Sequence, residues 1–216
     1  EYDVLTDEDL HRKGIESLQQ YQVVLTGAHP EYTTANMLLA FEQYLARGGR
    51  LMYMGGNGFY WVTSIYPNKP HIMEVRRGQS GSLTWESSSE ENYHSSTGEL
   101  GGLWRHRGKT PNKLVGIGCS SMGWATKSGG YIRSKDSFDK QVEFIFQGIK
   151  KDEIIGNFGL AMGGAAGDEL DRLDYQLGTP RHAIHLASST GHDNRYQQVI
   201  EDILQVKDTQ EYGGTA

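Results

Sequence analysis

The first 58 residues alternate between short apolar segments and helical patterns, and this alternation restricts the possible folds more than any other feature of the chain. Apolar segments at 2–5, 23–26 and 50–54 predict three strands. Helical periodicity at 7–20 and 33–47 predicts two helices between them. Strands that alternate with helices at this spacing are typical of an α/β fold, in which a mostly parallel sheet is flanked by helices on both faces.

Both predicted helices begin at residues suited to that place. Asp7 is a suitable N-cap for the first helix, and Thr33 or Thr34 for the second. The apolar face of the second helix consists of Met37, Leu38, Phe41 and Leu45. Ligands of such sheets bind beyond the carboxyl ends of the strands, so the segments that follow the second and third strands are the first places to look for a site.

The alternation is lost between residues 66 and 147, where we expect a long β-rich insertion or excursion within the domain. The later part of the chain predicts one more strand and a closing helix. The remaining elements predicted from pattern are strands at 71–77, 113–121, 142–149 and 183–187 and a helix at 194–206.

Composition excludes several classes of function. The net charge is −6 and no long basic run is present, so neither nucleic acid nor an anionic membrane is an expected partner. No apolar stretch approaches the roughly 18 residues that a membrane-spanning helix needs, which predicts a soluble protein. The single cysteine, Cys119, excludes an internal disulfide and favours a reducing cytoplasm. The chain begins at Glu1 without a methionine, as a piece of a longer polypeptide would.

The sequence HPEY directly follows the second predicted strand, and two interpretations of it stay open. In the first, Pro30 forces a turn and Glu31 stabilises the start of the next helix through its charge. In the second, His29, Glu31 and Tyr32 present nitrogen and oxygen donors of the kind that bind iron.

The sequence GGNGFYW follows the third predicted strand, where an amidotransferase-like fold would carry its nucleophile. Such an elbow needs a cysteine or serine, but Asn57 occupies the position, and an amide is not a nucleophile. Asn57 is therefore a candidate for orienting a substrate, with Phe59, Tyr60 and Trp61 as walls of a small apolar pocket. The alternative for Phe59 and Trp61 is that they belong to the core.

A third candidate segment is GLAMGGAAGDELDRLDY, at residues 159–175. Such a run of charges is most often a solvated helix face, in which Asp171, Arg172 and Asp174 make ordinary surface pairs. Glu169 is nevertheless a candidate general acid or base, because a carboxylate in a desolvated cleft has a raised pKa. Cys119 is interpreted as a buried small hydrophobe rather than a nucleophile.

The chain resembles a known family over essentially its whole length. The motifs VVLTGAHPEY, GGRLMYMGGNGFYW, GGAAGDELDRLD and HAIHLASSTGHDN are similar to those in the C-terminal, amidotransferase-like domain of the large (β) subunit of N,N-dimethylformamidases. The resemblance implies one domain over 1–216, as part of a longer chain, with a class I glutamine-amidotransferase-like (flavodoxin-like) fold. It also implies hydrolysis of N,N-dimethylformamide, or of a related small N-substituted amide, to an amine and formate. The expected partners are a small (α) subunit and further large subunits.

The resemblance further implies a mononuclear iron (Fe³⁺) held by two tyrosines and one glutamate. Carried onto this sequence, the glutamate ligand is Glu31, while His29 and Glu169 are catalytic. The tyrosine ligands are expected upstream of Glu1, and the nearest candidates by position within the chain are Tyr2, Tyr32 and Tyr60, of which Tyr32 is retained. Iron would act as a Lewis acid while His29 or Glu169 transfers a proton. The alternative is a non-catalytic amidotransferase-like domain, used for binding or assembly, that has lost its nucleophile.

Overall fold

The computed structural model describes residues 2–78, 80–82, 88–123, 128–159 and 163–199. Within these ranges the chain forms three α-helices and ten short strands. The helices are α1 (Asp7–Lys13), α2 (Ala35–Ala46) and α3 (Pro111–Val115). The strands are β1 (Val23–Leu25), β2 (Tyr32–Thr33), β3 (Arg50–Met52), β4 (Trp61–Tyr66), β5 (Lys69–Val75), β6 (Ile117–Gly123), β7 (Ile132–Arg133), β8 (Asp168–Leu173), β9 (Ala187–Ser188) and β10 (Gln197–Gln198). Five 3-10 helices lie between them, at Gly14–Ser17, Ser89–Asn92, Trp104–Arg107, Lys135–Phe138 and Glu143–Phe146.

The predicted strand–helix–strand unit from β1 through α2 to β3 is confirmed. The Thr34 hydroxyl caps α2 by accepting the backbone N–H of Met37 at 3.3 Å, a contact of the kind that contributes about 1 kcal/mol. Met37, Leu38 and Phe41 of the predicted apolar face are buried, together with Tyr44. Strands β1 and β3 pair in parallel, and Val24 and Leu51 from them pack against the buried residues of α2.

The first predicted strand and the long first helix are wrong in part. Residues 2–5 form no strand. Their apolar pattern predicts a buried strand, but Tyr2 and Val4 are largely exposed. The helix α1 is capped by Thr6 rather than Asp7 and ends at Lys13. Gly14, with a φ of 57°, stops it, and the chain continues as a 3-10 helix.

The prediction of a flavodoxin-like, mostly parallel sheet flanked by helices is also wrong. The described strands form four short, separate sheets, and only the β1–β3 and β2–β4 pairs are parallel. A parallel sheet of that class buries both faces of its strands. In β1, only Val24 packs against the core, whereas Val23 and Leu25 are exposed. Local alternation was therefore interpreted as a larger sheet than the chain builds.

Antiparallel pairing dominates the described part of the chain beyond residue 60. Strand β4 pairs with β5, and β6 pairs with both β8 and β10. The strand predicted at 71–77 corresponds to β5, and the one predicted at 113–121 is confirmed only from Ile117, where β6 begins, because residues 113–115 belong to α3. The strand predicted at 142–149 is wrong because a 3-10 helix forms there. The strand predicted at 183–187 overlaps β9 only at Ala187, the last residue of the predicted segment. The helix predicted for 194–206 is wrong up to residue 199, where β10 lies instead, and the rest falls outside the described residues.

Two apolar clusters form the core, and the GGNGFYW segment runs between them. Phe59 packs in the first cluster, edge-on to Phe41 with ring centroids 5.4 Å apart, a geometry that adds about 0.5–1.5 kcal/mol beyond burial. Tyr60 and Trp61 pack in the second cluster with Cys119. Consecutive aromatic residues thus anchor the segment in both clusters and fix the loop that precedes it.

None of the described helices has both the length and the apolar character needed to cross a bilayer. The expected insertion at 66–147 stays a prediction.

Candidate functional site

The HPEY and GGNGFYW segments lie side by side, held by three backbone hydrogen bonds. The carbonyl of Pro30 accepts the N–H of Phe59 at 2.8 Å, and the carbonyl of Glu31 accepts the N–H groups of Tyr60 and Trp61 at 3.1 and 3.0 Å. Because these bonds fix the register of the two segments, the side chains they carry share one end of the β2–β4 pair.

Close backbone approach explains a glycine at the start of the second segment. A Cβ built on Gly55 would lie only 1.3 Å from the carbonyl oxygen of Ala28. No other residue fits there without moving one of the two loops. The glycine therefore allows the loop after β3 to pack directly against the loop after β1.

Asn57 and Phe59 both have left-handed backbone conformations, with φ of 52° and 54°. Asparagine is among the residues that adopt this conformation most readily, whereas a bulky aromatic residue rarely does. Strained backbone of this kind persists only where surrounding contacts enforce it, and it concentrates at functional sites.

Glu169 connects these segments to β8. The Nδ2 of Asn57 donates to Oε1 of Glu169 at 3.0 Å, and the Nε2 of His29 lies 3.2 Å from Oε2 of Glu169. Burial raises the pKa of the Glu169 carboxyl, while the Asn57 amide and the positive charge of His29 offset part of the rise. The pair His29–Glu169 can therefore hold or transfer a proton.

Glu31 is half-buried and shares this region. The indole Nε1 of Trp61 donates to its Oε1 at 2.8 Å. Burial raises the pKa of the Glu31 carboxyl, and the negative charge of Glu169 adds to the rise, which hydrogen bonds from Trp61 and Asn57 partly offset. A second carboxylate close enough to raise the pKa of Glu31 favours a proton or a bound cation at this place.

Tyr32 lies next to Glu31 on β2. Burial, followed by the charge of Glu31, raises the pKa of its hydroxyl. Of the two other tyrosines nearest by position, Tyr2 is 90% exposed, while Tyr60 is buried. Tyr32 is thus the tyrosine that the structure places beside the candidate ligand Glu31.

The donor chemistry of the site fits a hard metal ion, although the described residues supply only part of a ligand set. The carboxylate of Glu31 and the phenol of Tyr32 offer the oxygen donors that Fe³⁺ prefers. In the described part of the chain, no three His, Cys, Asp or Glu side chains come together as a metal site. A metal here would need further oxygen donors.

Asp171 was interpreted from the sequence as part of a surface pair, and that interpretation is wrong. It accepts the backbone N–H of Asn57 at 2.9 Å and the hydroxyl of Tyr53 at 2.8 Å. The expected surface pair does form between Arg172 and Asp174, at 2.7 Å. The signal that was missed is the period of the segment: in a strand, Glu169 and Asp171 point to the same face.

The remaining candidates are buried. Phe59 and Tyr60 are each 1% exposed and pack in the core, and their role in substrate binding stays a prediction. Asn57 is also buried, and its Oδ1 has no hydrogen-bond partner among the described residues. Cys119 is fully buried, as predicted, and burial raises the pKa of its thiol, which disfavours the thiolate that a nucleophile needs.

A cavity of about 600 Å³ lies beside the site, between the N-terminal segment, β1 and α2. Its walls are mostly apolar, and two residues of HPEY, Pro30 and Tyr32, are among the residues that line it. His29, Glu31 and Glu169 are not among its lining residues. The cavity thus lies near the side chains of His29, Glu31 and Glu169 but is not lined by them.

Comparison with known proteins identifies relatives of the whole chain. The family model described as N,N-dimethylformamidase beta subunit-like, C-terminal, matches residues 1–215. The N,N-dimethylformamidase beta subunit of Paracoccus aminophilus is 46% identical over 202 residues, which cover 94% of this chain and 26% of that protein. The beta subunit from an Alcaligenes species matches with the same identity and coverage. The chain spans about a quarter of the length of these curated relatives. It belongs to the N,N-dimethylformamidase beta subunit-like, C-terminal family.

Proposed function

We propose that this chain forms part of the active site of an iron-dependent amidohydrolase. The substrate is N,N-dimethylformamide or a related small N-substituted amide, and the products are an amine and formate. The observation that carries the proposal is the convergence of His29, Glu31, Asn57 and Glu169 from two loops and one strand. The named activity of the relatives supports the choice of substrate class.

In this proposal, Glu31 is the metal ligand that the chain contributes, with Tyr32 as the nearest phenol. The other ligands are tyrosines from a further part of the large subunit. Bound Fe³⁺ supplies Lewis acidity toward the formyl oxygen and lowers the pKa of a bound water. The indole of Trp61 keeps Glu31 oriented through its hydrogen bond to Oε1.

Glu169 is the proposed general base and acid. As an anion it takes a proton from the attacking water, whose oxygen bonds to the formyl carbon. It then gives that proton to the nitrogen as the carbon–nitrogen bond breaks, so that dimethylamine and formic acid are released, and the acid loses its proton to solvent as formate. His29 stabilises the Glu169 anion and shares its proton, and Asn57 fixes the direction of the carboxylate.

The proposed partners are a small (α) subunit and further large subunits, in line with the subunit names of the relatives. The proposed location is the cytoplasm, where a free, buried thiol such as Cys119 stays reduced.

The proposal is tested on the full large subunit together with its small subunit. Dimethylamine release is measured before and after the metal is removed with a chelator, and again after iron or magnesium is added back. We expect removal to lower turnover by about 100-fold or more and iron alone to restore it. Full turnover in the metal-free protein would contradict the role of iron. No turnover in iron-loaded protein would favour the non-catalytic binding or assembly domain.

A further inference from the structure

Asp171 and Tyr53 together bind two consecutive backbone amides of the loop that carries Asn57. Asp171 Oδ1 accepts the N–H of Asn57 at 2.9 Å, and its Oδ2 accepts the Tyr53 hydroxyl at 2.8 Å. The same hydroxyl oxygen accepts the N–H of Gly58 at 2.6 Å. One carboxylate and one phenol thus hold the loop at two adjacent points.

The loop needs such support because its conformation is costly. Phe59 has a φ of 54°, a left-handed conformation that a bulky aromatic residue rarely adopts, and Asn57 in the same loop has a φ of 52°. In the conformation that these contacts hold, the Asn57 side chain donates to Glu169 at 3.0 Å. The contacts with Asp171 and Tyr53 thus hold the part of the loop from which the Asn57 amide reaches Glu169.

The same strand supplies both carboxylates. Glu169 and Asp171 are two residues apart on β8, so both project from the same face of the strand. Tyr53 follows β3 directly and packs against the ring of Phe59, with centroids 5.9 Å apart. These contacts connect the end of β3 and the loop that carries Asn57 to β8, the strand that carries Glu169.

We propose that Asp171 and Tyr53 are positioning residues, which hold Asn57 so that its side-chain amide faces Glu169. This inference rests on the function proposed above, in which Glu169 transfers the proton. Neither Asp171 nor Tyr53 makes a hydrogen bond to Glu31 in the described structure, so any effect of these two residues on the proposed metal ligand passes through Asn57.

Two single variants test the arrangement in the complete enzyme. Asp171 accepts the two hydrogen bonds on different oxygens, and the variant Asp171→Asn replaces one of these oxygens by an NH₂ group that cannot accept. The variant Tyr53→Phe removes the hydroxyl that joins Asp171 to Gly58. We expect each variant to lower kcat by about 10- to 100-fold with KM and iron content nearly unchanged. The matched controls, Asp152→Asn and Tyr93→Phe at exposed positions, should retain the kcat of the unmodified enzyme.

A double-mutant cycle separates positioning from general stabilisation. The variant Asn57→Ala keeps the backbone N–H that Asp171 binds but removes the amide that faces Glu169. If Asp171 acts through that amide, Asp171→Asn causes no further loss of kcat in the Asn57→Ala enzyme. Equal losses with and without the Asn57 amide would overturn the proposal.

Hydrogen exchange supplies a readout that does not depend on activity. Peptides covering residues 54–60 of the complete large subunit should exchange faster in Asp171→Asn and Tyr53→Phe than in the two controls. Unchanged exchange in both variants would overturn the proposal. An unmodified enzyme that hydrolyses no formamide would refute the proposed function, whereas faster exchange would still support the hold on the loop.

Discussion

The Nε2 of His29 lies 3.2 Å from Oε2 of Glu169, so the loop after β1 and the strand β8 meet at one charged contact. The His29 side chain is 56% exposed, whereas that of Glu169 is 13% exposed. A buried carboxylate that reaches solvent through an imidazole can exchange protons without losing its desolvated surroundings. The contact thus links the geometry of the site to proton transfer.

Replacing Glu169 by glutamine should abolish most turnover without removing the metal. The amide keeps the size of the side chain and can still hydrogen-bond, but it cannot accept a proton from water. We expect kcat to fall by about 100- to 10,000-fold, the range typical of general acid–base catalysis. Dimethylamine release and iron content are measured on the same preparation. The exposed residue Glu143 gives the matched control, Glu143→Gln, and unchanged turnover in Glu169→Gln would remove it from the mechanism.

Replacing His29 by glutamine should shift the acidic side of the pH–rate profile. Burial raises the pKa of Glu169, and the positive charge of His29 lowers it in part. Without that charge, the pKa of Glu169 rises further, so the active anion forms only at higher pH. We expect the acidic limb of kcat/KM to move upward in pH. The exposed residue His71 gives the control His71→Gln, and a limb at the same pH in both variants would contradict the contact.

Replacing Glu31 by alanine should remove the iron as well as the activity. The variant Glu16→Ala, at an exposed glutamate, is the control and should keep both. Loss of a metal ligand weakens binding more than loss of an outer hydrogen bond, which typically costs about 10- to 100-fold in metal affinity. Trp61→Phe, which removes only the indole donor to Glu31, should therefore weaken iron binding less than Glu31→Ala does. Metal analysis after dialysis measures the order, and full iron content in Glu31→Ala would exclude it as a ligand.

The β1–α2–β3 unit could be predicted because its signals are local. A capping hydroxyl at Thr34 and apolar residues at helical spacing lie within one segment, so no distant contact is needed to interpret them. The pairing of β6 with β8 joins segments about 50 residues apart, and neither segment indicates its partner. A single parallel sheet was predicted because only the local strand–helix pattern could be interpreted, and the distant antiparallel pairings could not.

The candidate site shows the same division between local and distant signals. His29, Glu31 and Asn57 follow strands in short motifs, so their position in the chain was enough to make them candidates. Asp171 was missed because the charged segment around it has the composition of a solvated helix, while the chain forms a strand. Only the partner strand and the loop of Asn57 make its carboxylate a buried acceptor.

Glu74 offers a test of stability away from the site. Burial raises the pKa of its carboxyl, but this effect is outweighed by hydrogen bonds from Ser95, Ser96 and Arg76, and the pKa lies below its ordinary value of 4.5. The backbone N–H groups of Ser95 and Ser96 donate to its two oxygens, each at 2.9 Å. Glutamine retains only one acceptor, so Glu74→Gln should destabilise this region by about 1–3 kcal/mol.

A carboxyl with a depressed pKa stabilises the folded state fully above its unfolded pKa and loses this contribution as the pH falls. The contribution of Glu74 should therefore be constant above a pH of about 4.5 and decline below it. Hydrogen exchange of peptides covering 93–98 at several pH values measures the effect. In the Glu74→Gln variant this pH dependence should disappear, while the exposed control Glu91→Gln should retain it.

Gly55→Ala tests whether the close contact between the two loops is needed for the site. The added Cβ would lie 1.3 Å from the carbonyl oxygen of Ala28, a distance that no side-chain rotation relieves because both atoms belong to the backbone frame. One loop must move, and a displacement of about 1 Å can cost 100-fold in rate. The control is Gly27→Ala in the neighbouring loop, where a Cβ meets no atom within 4 Å. We expect Gly27→Ala to change the free energy of unfolding by no more than about 0.5 kcal/mol. Gly55→Ala should lower both kcat and thermal stability, and equal behaviour of the two variants would show that the loops need not touch for the site to form.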